Sequence, residues 1–221
     1  GNISGWNTSL VTDMSFMFYE ASVFNQDISN WNTAEVTDMG AMFERALLFD
    51  QNINTNLDSW NTEKVTTMYQ MFWGATTFNG NISGWNTAAV TNMAEMFYGA
   101  SAFNQDINTD GDSWNTSLVT NMSYMFYGAT VFNGNISLWN TSAVENMNSM
   151  FHDAKFFNQD ISAWNTSSVT NMSYMFWNSI LFDQPINTAG NSWNTSSVTT
   201  MIGMFNGATI FNQDISGWNT A

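Results

Sequence analysis

Apolar side chains recur at fixed positions along the chain, in a unit repeated from one end of the sequence to the other. The tripeptide Trp-Asn-Thr marks each unit, and its Trp recurs after 25 or 29 residues. These Trp residues are Trp6, Trp31, Trp60, Trp85, Trp114, Trp139, Trp164, Trp193 and Trp218. In each complete unit Val follows the Trp after five residues, Met after eight and eleven, and Phe after twelve. A repeat this short does not bury its own core, so the pattern predicts a solenoid of stacked repeats.

Two spacings within the unit predict its secondary structure. The apolar residues of 122–129 follow the i, i+3, i+4, i+7 spacing of one helix face, with Thr120 or Asn121 as N-cap and Gly128 at the end. Residues 104–108 are polar except for Ile107, which indicates a short strand with one inward side chain. The predicted fold class is an α/β repeat solenoid of coils, each a short strand plus a short helix, stacked into a parallel sheet.

The repeats predict one domain, a single solenoid array of about eight coils over residues 1–221. Three coils are four residues longer, and the extra residues lie between Ile and Trp, in 54–59, 108–113 and 187–192. Length changes at one fixed point of a repeat lie on one face of a solenoid. Both ends fall mid-repeat without an atypical capping repeat. We therefore expect a segment of a longer array, or a unit whose ends stack on further copies as a filament.

The unit at residues 157–176, with its Trp-Asn-Thr followed by Val-Thr-Asn-Met-Ser-Tyr-Met-Phe, resembles the BspA-type leucine-rich-repeat surface proteins. The resemblance covers essentially all of 1–221 and implies a leucine-rich-repeat-like solenoid; the departures from the family pattern are the three longer coils and Pro185. It implies an extracellular or cell-surface repeat protein, often part of a longer chain, that acts in adhesion or as a surface scaffold. The implied partners are a protein or glycan of a host or neighbouring cell, or further copies of the repeat. The family motif carries no catalytic residues.

Charge and composition exclude several classes of partner. The chain has 18 acidic and three basic residues, for a formal net charge of -15, and no Cys. An ordinary nucleic-acid binder has a basic surface for the phosphates, which this sequence does not supply. The same acidity opposes attachment to an anionic membrane, and no apolar run approaches the ~18 residues of a membrane helix. The sequence predicts neither nucleic-acid binding nor membrane insertion within this segment.

Catalysis needs a unique constellation of side chains, whereas the polar residues of this chain recur coil after coil. The single imidazole, His152, is interpreted as a surface helix residue. Its repeat position holds Tyr19, Trp73, Tyr98 and Tyr127 in other coils. A carboxylate pair such as Asp110 and Asp112 suggests glycosidase chemistry, but lies on an exposed loop. We predict no enzyme activity and no catalytic residue, with a glycan-active enzyme as the competing class.

One polar row lies beside the Ile of the predicted strand and would line its exposed face. The row consists of Asp27, Asn52, Asn81, Asp106, Asn135, Asp160 and Asp214, and is interrupted by Pro185. Asp alternates roughly with Asn, which limits repulsion between neighbouring rungs. The row is either a solvated face or a binding surface for a protein, a glycan or a divalent cation.

The longer coils contain the residue spacing that most resembles a metal-binding loop. Oxygen ligands at i, i+2 and i+4 suit a hard cation such as calcium. They are Asn108, Asp110 and Asp112 in one coil, and Asn54, Asn56 and Asp58 in another. The third long coil breaks the pattern at Ala189, and no distal Glu completes an EF-hand loop. Calcium is therefore an alternative; no other cofactor is predicted.

Two further polar rows are interpreted as structural. The Asn of each Trp-Asn-Thr, such as Asn115, would satisfy backbone groups at a corner or bond along the stack, although several also form glycosylation sequons. The second row is Thr12, Thr37, Thr66, Thr91, Thr120, Thr170 and Thr199, interrupted by Glu145. A regular Thr ladder raises an ice-binding alternative, but we expect Thr to cap a helix and the unequal coils to spoil a flat lattice.

Overall fold

Successive repeats lie on one another in the computed structural model, which describes residues 1–55, 59–111, 113–187 and 192–219. A coil is defined here from one Trp to the residue before the next. The eight coils are 6–30, 31–59, 60–84, 85–113, 114–138, 139–163, 164–192 and 193–217. Backbone hydrogen bonds join each coil to the next at equivalent positions: the Thr66 amide donates to the Thr37 carbonyl at 2.9 Å, and the Thr37 amide to the Thr12 carbonyl at 2.8 Å.

The predicted α/β class is wrong, because the described residues form no helix and no extended strand. Their regular structure is limited to nine isolated bridges, seven parallel and two antiparallel. The parallel bridges join one residue per coil: Asp13, Asp38, Thr67, Asn92, Asn121, Asn146, Asn171 and Thr200. Everything between these bridges is turn or irregular backbone. Accordingly, within the described ranges there is no helix of a length and apolarity suited to crossing a membrane.

Consecutive turns replace the predicted helix at 122–129. The amides of Met125 and Tyr127 donate to the carbonyls three residues earlier, at 3.3 and 3.1 Å. The alternate amides leave the coil: Tyr124 and Phe126 donate to carbonyls of the next coil, at 2.8 and 2.9 Å. In an α-helix, all of these amides would instead donate to carbonyls four residues earlier in the same coil. The apolar spacing of three and four residues therefore marks successive turns, and half of the amides are free to join the coils.

Left-handed residues make this run of turns fit the stack. Tyr124 has φ 57° and Gly128 has φ 66°, ten and fourteen residues after the Trp. The same two positions are left-handed at Ser149 (φ 53°) and Asp153 (φ 57°) in the next coil. Gly128, predicted to end a helix, thus occupies a recurring left-handed turn position where glycine avoids the steric penalty of a Cβ.

The inter-coil bridges lie on a different segment from the predicted strand. Ile107 is fully buried as expected, but the described residues around it form no strand. Asn121, predicted as a helix cap, is instead a bridge residue between Asn92 and Asn146. The neighbouring Thr120 donates both its amide and its hydroxyl to the Thr91 carbonyl, at 3.0 and 3.4 Å. The exposed Thr row is therefore part of the inter-coil ladder, not a set of helix caps.

The core consists of the inward rows of Val, Met, Phe, Ile and Trp, as predicted. Equivalent Phe rings stack along the solenoid: Phe126 lies 5.5 Å from Phe97 and 5.6 Å from Phe151, centroid to centroid. Buried indoles also bond between coils, since Trp139 Nε1 donates to the Ile107 carbonyl at 2.7 Å. Each coil thus supplies both apolar surface and a hydrogen-bond partner to its neighbour.

Polar side chains close the corners of each coil. The Oδ1 of Asn115 accepts the Ser117 amide at 3.1 Å, which confirms the corner role predicted for this Asn. The buried Thr116 hydroxyl donates to the Asn140 carbonyl of the next coil at 2.9 Å. Every buried side-chain nitrogen or oxygen in the described ranges has a hydrogen-bond partner. The Trp-Asn-Thr tripeptide is therefore a structural corner.

The longer coils do not interrupt the bridge row. The parallel bridges Asn92 to Asn121 and Asn171 to Thr200 both cross a four-residue insertion. In one long coil, the Thr109 hydroxyl donates to the Trp114 carbonyl at 2.9 Å. Thr109, which belongs to this insertion, therefore lies beside the Trp and outside the row of bridges that joins the coils.

Candidate binding surface

The predicted row of seven Asp and Asn residues lies at or near the surface but not on a strand face. The side-chain Oδ1 atoms of these residues already accept hydrogen bonds within the fold. Asp27 Oδ1 accepts the Ser29 amide at 2.9 Å, and Asp106 Oδ1 accepts the Asn135 amide at 2.8 Å. The bond from the Ser29 amide lowers the pKa of Asp27 below its usual range. These residues fix turns and link coils, and their role in binding a partner stays a prediction.

The two described Asn side chains of the predicted calcium loops are also engaged in hydrogen bonds. Asn54 Oδ1 accepts the Gly84 amide, and Asn108 Oδ1 accepts the Leu138 amide, both at 2.7 Å. Asp110 pairs through its backbone with Ser113, at 3.1 and 3.0 Å. The other predicted ligands, Asn56, Asp58 and Asp112, lie outside the described residues. Within those residues, no group of three or more His, Asp or Glu side chains could hold a metal ion.

A different row of side chains forms the most distinctive surface of the molecule. The residue thirteen positions after the Trp is aromatic in five consecutive coils. We call these residues the aromatic strip: Trp73, Tyr98, Tyr127, His152 and Trp177. All five are half-buried, so part of each ring faces solvent. Rings held in consecutive coils form a continuous aromatic track along the surface.

Ring stacking holds the strip together. The ring centroids of Tyr98 and Tyr127 lie 4.4 Å apart with an interplanar angle of 2°. Trp73 stacks on Tyr98 at 5.1 Å, and the Arg45 guanidinium lies 5.7 Å from the Trp73 ring centre. Beyond Tyr127, the strip continues to His152 at 4.4 Å. Each ring restricts the motion of the next, so the strip presents a preorganised surface.

A cavity of about 230 Å³ opens beside the strip between two tyrosines. Tyr124 and Tyr174 stand on either side of Ser149, at the same repeat position in three consecutive coils. The remaining lining residues belong to the strip: Tyr127, His152 and Trp177. We call this cavity the tyrosine slot. It exists because a small residue replaces the ring that its two neighbours carry.

Burial and one neighbouring carboxylate determine the pKa of His152 in the slot. Burial lowers the pKa of His152 below its usual range, and the charge of Asp153 opposes that shift without overcoming it. Asp153 Oδ2 lies 3.3 Å from His152 Nε2. At neutral pH the imidazole of His152 is therefore uncharged.

Sequence reasoning missed this site although its signal was visible. The common repeat position of His152, Tyr98 and Tyr127 was recognised, but it was assigned to a surface helix. On a helix, that position would present isolated rings. In the stacked turns it becomes a ladder, and five aromatic residues in phase were the signal for it. Tyr124 and Tyr174 could be assigned to the site only from the geometry of the turns, because they lie three residues before the strip residues Tyr127 and Trp177.

Comparison with known families accounts for the whole chain. A family model described as "Mycoplasma protein of unknown function, DUF285" matches four adjoining stretches, residues 1–56, 51–110, 107–191 and 187–221. No curated protein matches the chain.

Proposed function

We propose a function for this chain, which belongs to the DUF285 family: it is a non-enzymatic repeat scaffold that binds an extracellular partner through its aromatic strip. The aromatic strip carries the proposal. Half-exposed Trp and Tyr side chains lose water readily and have few rotamers to restrict, which is why they dominate binding surfaces. Such a row is costly to maintain on a surface without a partner.

The distribution of polar groups supports a scaffold rather than an enzyme. Asn104 Oδ1 accepts the Asn133 amide at 2.7 Å, and Asn133 Oδ1 accepts the Asn158 amide at 2.9 Å. These repeated side chains hold the backbone of the next coil, as do those of the Trp-Asn-Thr corners. A catalytic role would need polar groups directed at a substrate, and no such constellation is apparent among the described residues.

The resemblance to BspA-type surface proteins supports a location outside the cell or at its surface. The proposed partner is a protein or glycan of a host or neighbouring cell, and assembly with further copies of the repeat is the alternative. The acidic surface, with a net charge of -15, would favour partners that are neutral or basic. A calcium site in the long loops is not part of the proposal, because the oxygens of Asn54 and Asn108 already accept backbone amides.

Binding arrays of glycans and surface proteins would test the proposal on the full chain. We expect binding that is lost in Tyr98→Ala and Tyr127→Ala, since each substitution removes a ring from the strip. Asp27→Asn is the matched control, because Asn retains the oxygen that accepts the Ser29 amide. Binding that persists in both strip variants would contradict the proposal. So would turnover of a glycan or peptide substrate in an activity screen.

A further inference from the structure

We propose that the tyrosine slot binds a quaternary ammonium group. The inference rests on the proposed binding function and adds the class of ligand that one part of the surface would recognise. Two independent observations lead to it: the spacing of the aromatic walls and the sign of the charge around them.

The walls stand at the distance that a cation between two rings requires. Tyr124 and Tyr174 are two coils apart, with Ser149 at the same repeat position between them. Equivalent rings of adjacent coils lie 5.5 to 5.6 Å apart in the Phe column, so rings two coils apart are separated by roughly 11 Å. A cation midway between Tyr124 and Tyr174 would then lie between about 5 and 6 Å from each ring, within the ~6 Å range of cation–π attraction. The Ser149 side chain is buried and small, so it forms the floor without filling the space.

The remaining walls favour an ammonium group that carries no N–H. Tyr127 and Trp177 add two more aromatic rings to the lining, and His152 lies between them along the strip. A primary ammonium would lose hydrogen bonds to water and find few acceptors in such a pocket. A trimethylammonium group has no such bonds to lose, and its methyl groups can pack against the rings.

The size of the slot limits the ligand to a small group. Its volume of about 230 Å³ lies below the ~300 Å³ at which pockets for drug-sized molecules begin. A single ammonium head with its methyl groups suits this space, whereas a longer chain would have to run along the strip outside it. The slot thus provides one recognition point within the larger surface.

Charge around the slot favours a cation. The Asp153 carboxylate lies 3.3 Å from Nε2 of His152, which lines the slot, and the chain as a whole carries a net charge of -15. Burial lowers the pKa of His152, so the imidazole does not oppose a cation at neutral pH. The same negative charge would repel an anionic ligand and would not attract a neutral one.

Calorimetric titration of the full chain with choline tests the proposal. The matched probe is 3,3-dimethyl-1-butanol, which has the shape of choline but carries carbon in place of the charged nitrogen. We expect saturable binding of choline, with the neutral isostere at least ~10-fold weaker, since several rings each contribute cation–π attraction. Absence of choline binding, or equal affinity for the two probes, would overturn the proposal.

Substitution at the floor of the slot connects the binding to this cavity. Ser149→Tyr continues the row of Tyr124 and Tyr174 and fills the space, so choline binding should be lost. If Ser149→Tyr fails to fold, Tyr174→Leu removes one wall and should weaken binding at least ~10-fold. Phe16→Leu, at the same repeat position in the first coil, should leave the affinity unchanged. Choline binding that survives in the folded slot variants contradicts the proposal.

Vesicles of phosphatidylcholine distinguish the source of the ammonium group. Choline binding together with slot-dependent vesicle binding supports the proposal and assigns the group to a lipid headgroup. Choline binding without vesicle binding also supports it and assigns the group to a soluble molecule. The two proposals fail separately: array binding that depends on Tyr98 but no response to choline would leave the strip function standing and remove this inference alone.

Discussion

The indole Nε1 of Trp139 donates a hydrogen bond of 2.7 Å to the carbonyl oxygen of Ile107, 32 residues earlier in the chain. The same bond recurs between Trp114 and Ile82 at 2.9 Å, and between Trp193 and Ile161 at 2.9 Å. Trp thus fills the core with its ring and satisfies a buried carbonyl with its N–H. A Phe at this position could do only the first, which gives a physical reason for Trp at the start of every coil.

Replacing this Trp should cost more than its change in volume. Trp139→Phe leaves the buried Ile107 carbonyl without its indole donor and opens a small cavity, so we expect a loss of about 2 to 4 kcal/mol in the free energy of unfolding. Chemical denaturation followed by circular dichroism measures it. Trp6→Phe is the control, since that ring is 55% exposed in the first coil. Equal losses in the two variants would show that the bond does not stabilise the fold.

The inward register could be predicted from the sequence, and one substitution tests it. Met122 is fully buried among the core rows. Met122→Asp would bury an unpaired charge and should destabilise the chain by more than ~4 kcal/mol, unfolding the middle of the array. Met122→Leu nearly conserves volume and should cost less than ~1.5 kcal/mol. Thermal melting of both variants checks this. A parent-like melting temperature for Met122→Asp would contradict the register.

Apolar spacing identified the core because burial depends only on which side chains face inward. It gave the wrong secondary structure because turns and helices both bring residues three and four apart onto one face. The deciding contribution is the hydrogen bonding of alternate amides, such as that of Tyr124, to the next coil at 2.8 Å. Such bonds exist only once the coils are stacked, so no local pattern reveals them. The tyrosine slot depends on the same stacking, since Tyr124 and Tyr174 lie 50 residues apart in the sequence.

Close approach of the backbone leaves no room for a side chain at Gly134. A Cβ built on Gly134 would overlap the carbonyl oxygen of Gln105 in the preceding coil, so the backbone of one coil would have to move. Gly134→Ala should therefore destabilise the chain by about 1 to 3 kcal/mol. At Gly5, by contrast, a Cβ meets no atom within 4 Å, and Gly5→Ala should stay within ~0.5 kcal/mol of the parent. Denaturant titration compares the two. If Gly134→Ala leaves the free energy of unfolding unchanged, the two coils can move apart at this point without cost.

Acid should weaken a link between coils that Asp183 forms. Its Oδ1 accepts the Asn212 amide and the Gln213 Nε2, both at 2.9 Å. The bond from the Asn212 amide, then that from Gln213, lowers the pKa of Asp183 below its usual value. A lowered pKa in the folded state means that ionised Asp183 stabilises the fold above its unfolded pKa. This stabilisation is lost as the pH falls through the folded pKa.

Asp183→Asn separates this effect from general acid denaturation. Equivalent positions in other coils hold Asn133 and Asn158, whose Oδ1 atoms accept the same amide without titrating, so the variant should melt like the parent at pH 7. As the pH falls below the usual Asp value of 3.8, we expect the parent to lose stability faster than the variant. Asp183→Ala removes the acceptor and should be less stable than both at pH 7. Parallel acid profiles for the parent and Asp183→Asn would show that protonation of this carboxylate leaves the link between the coils intact.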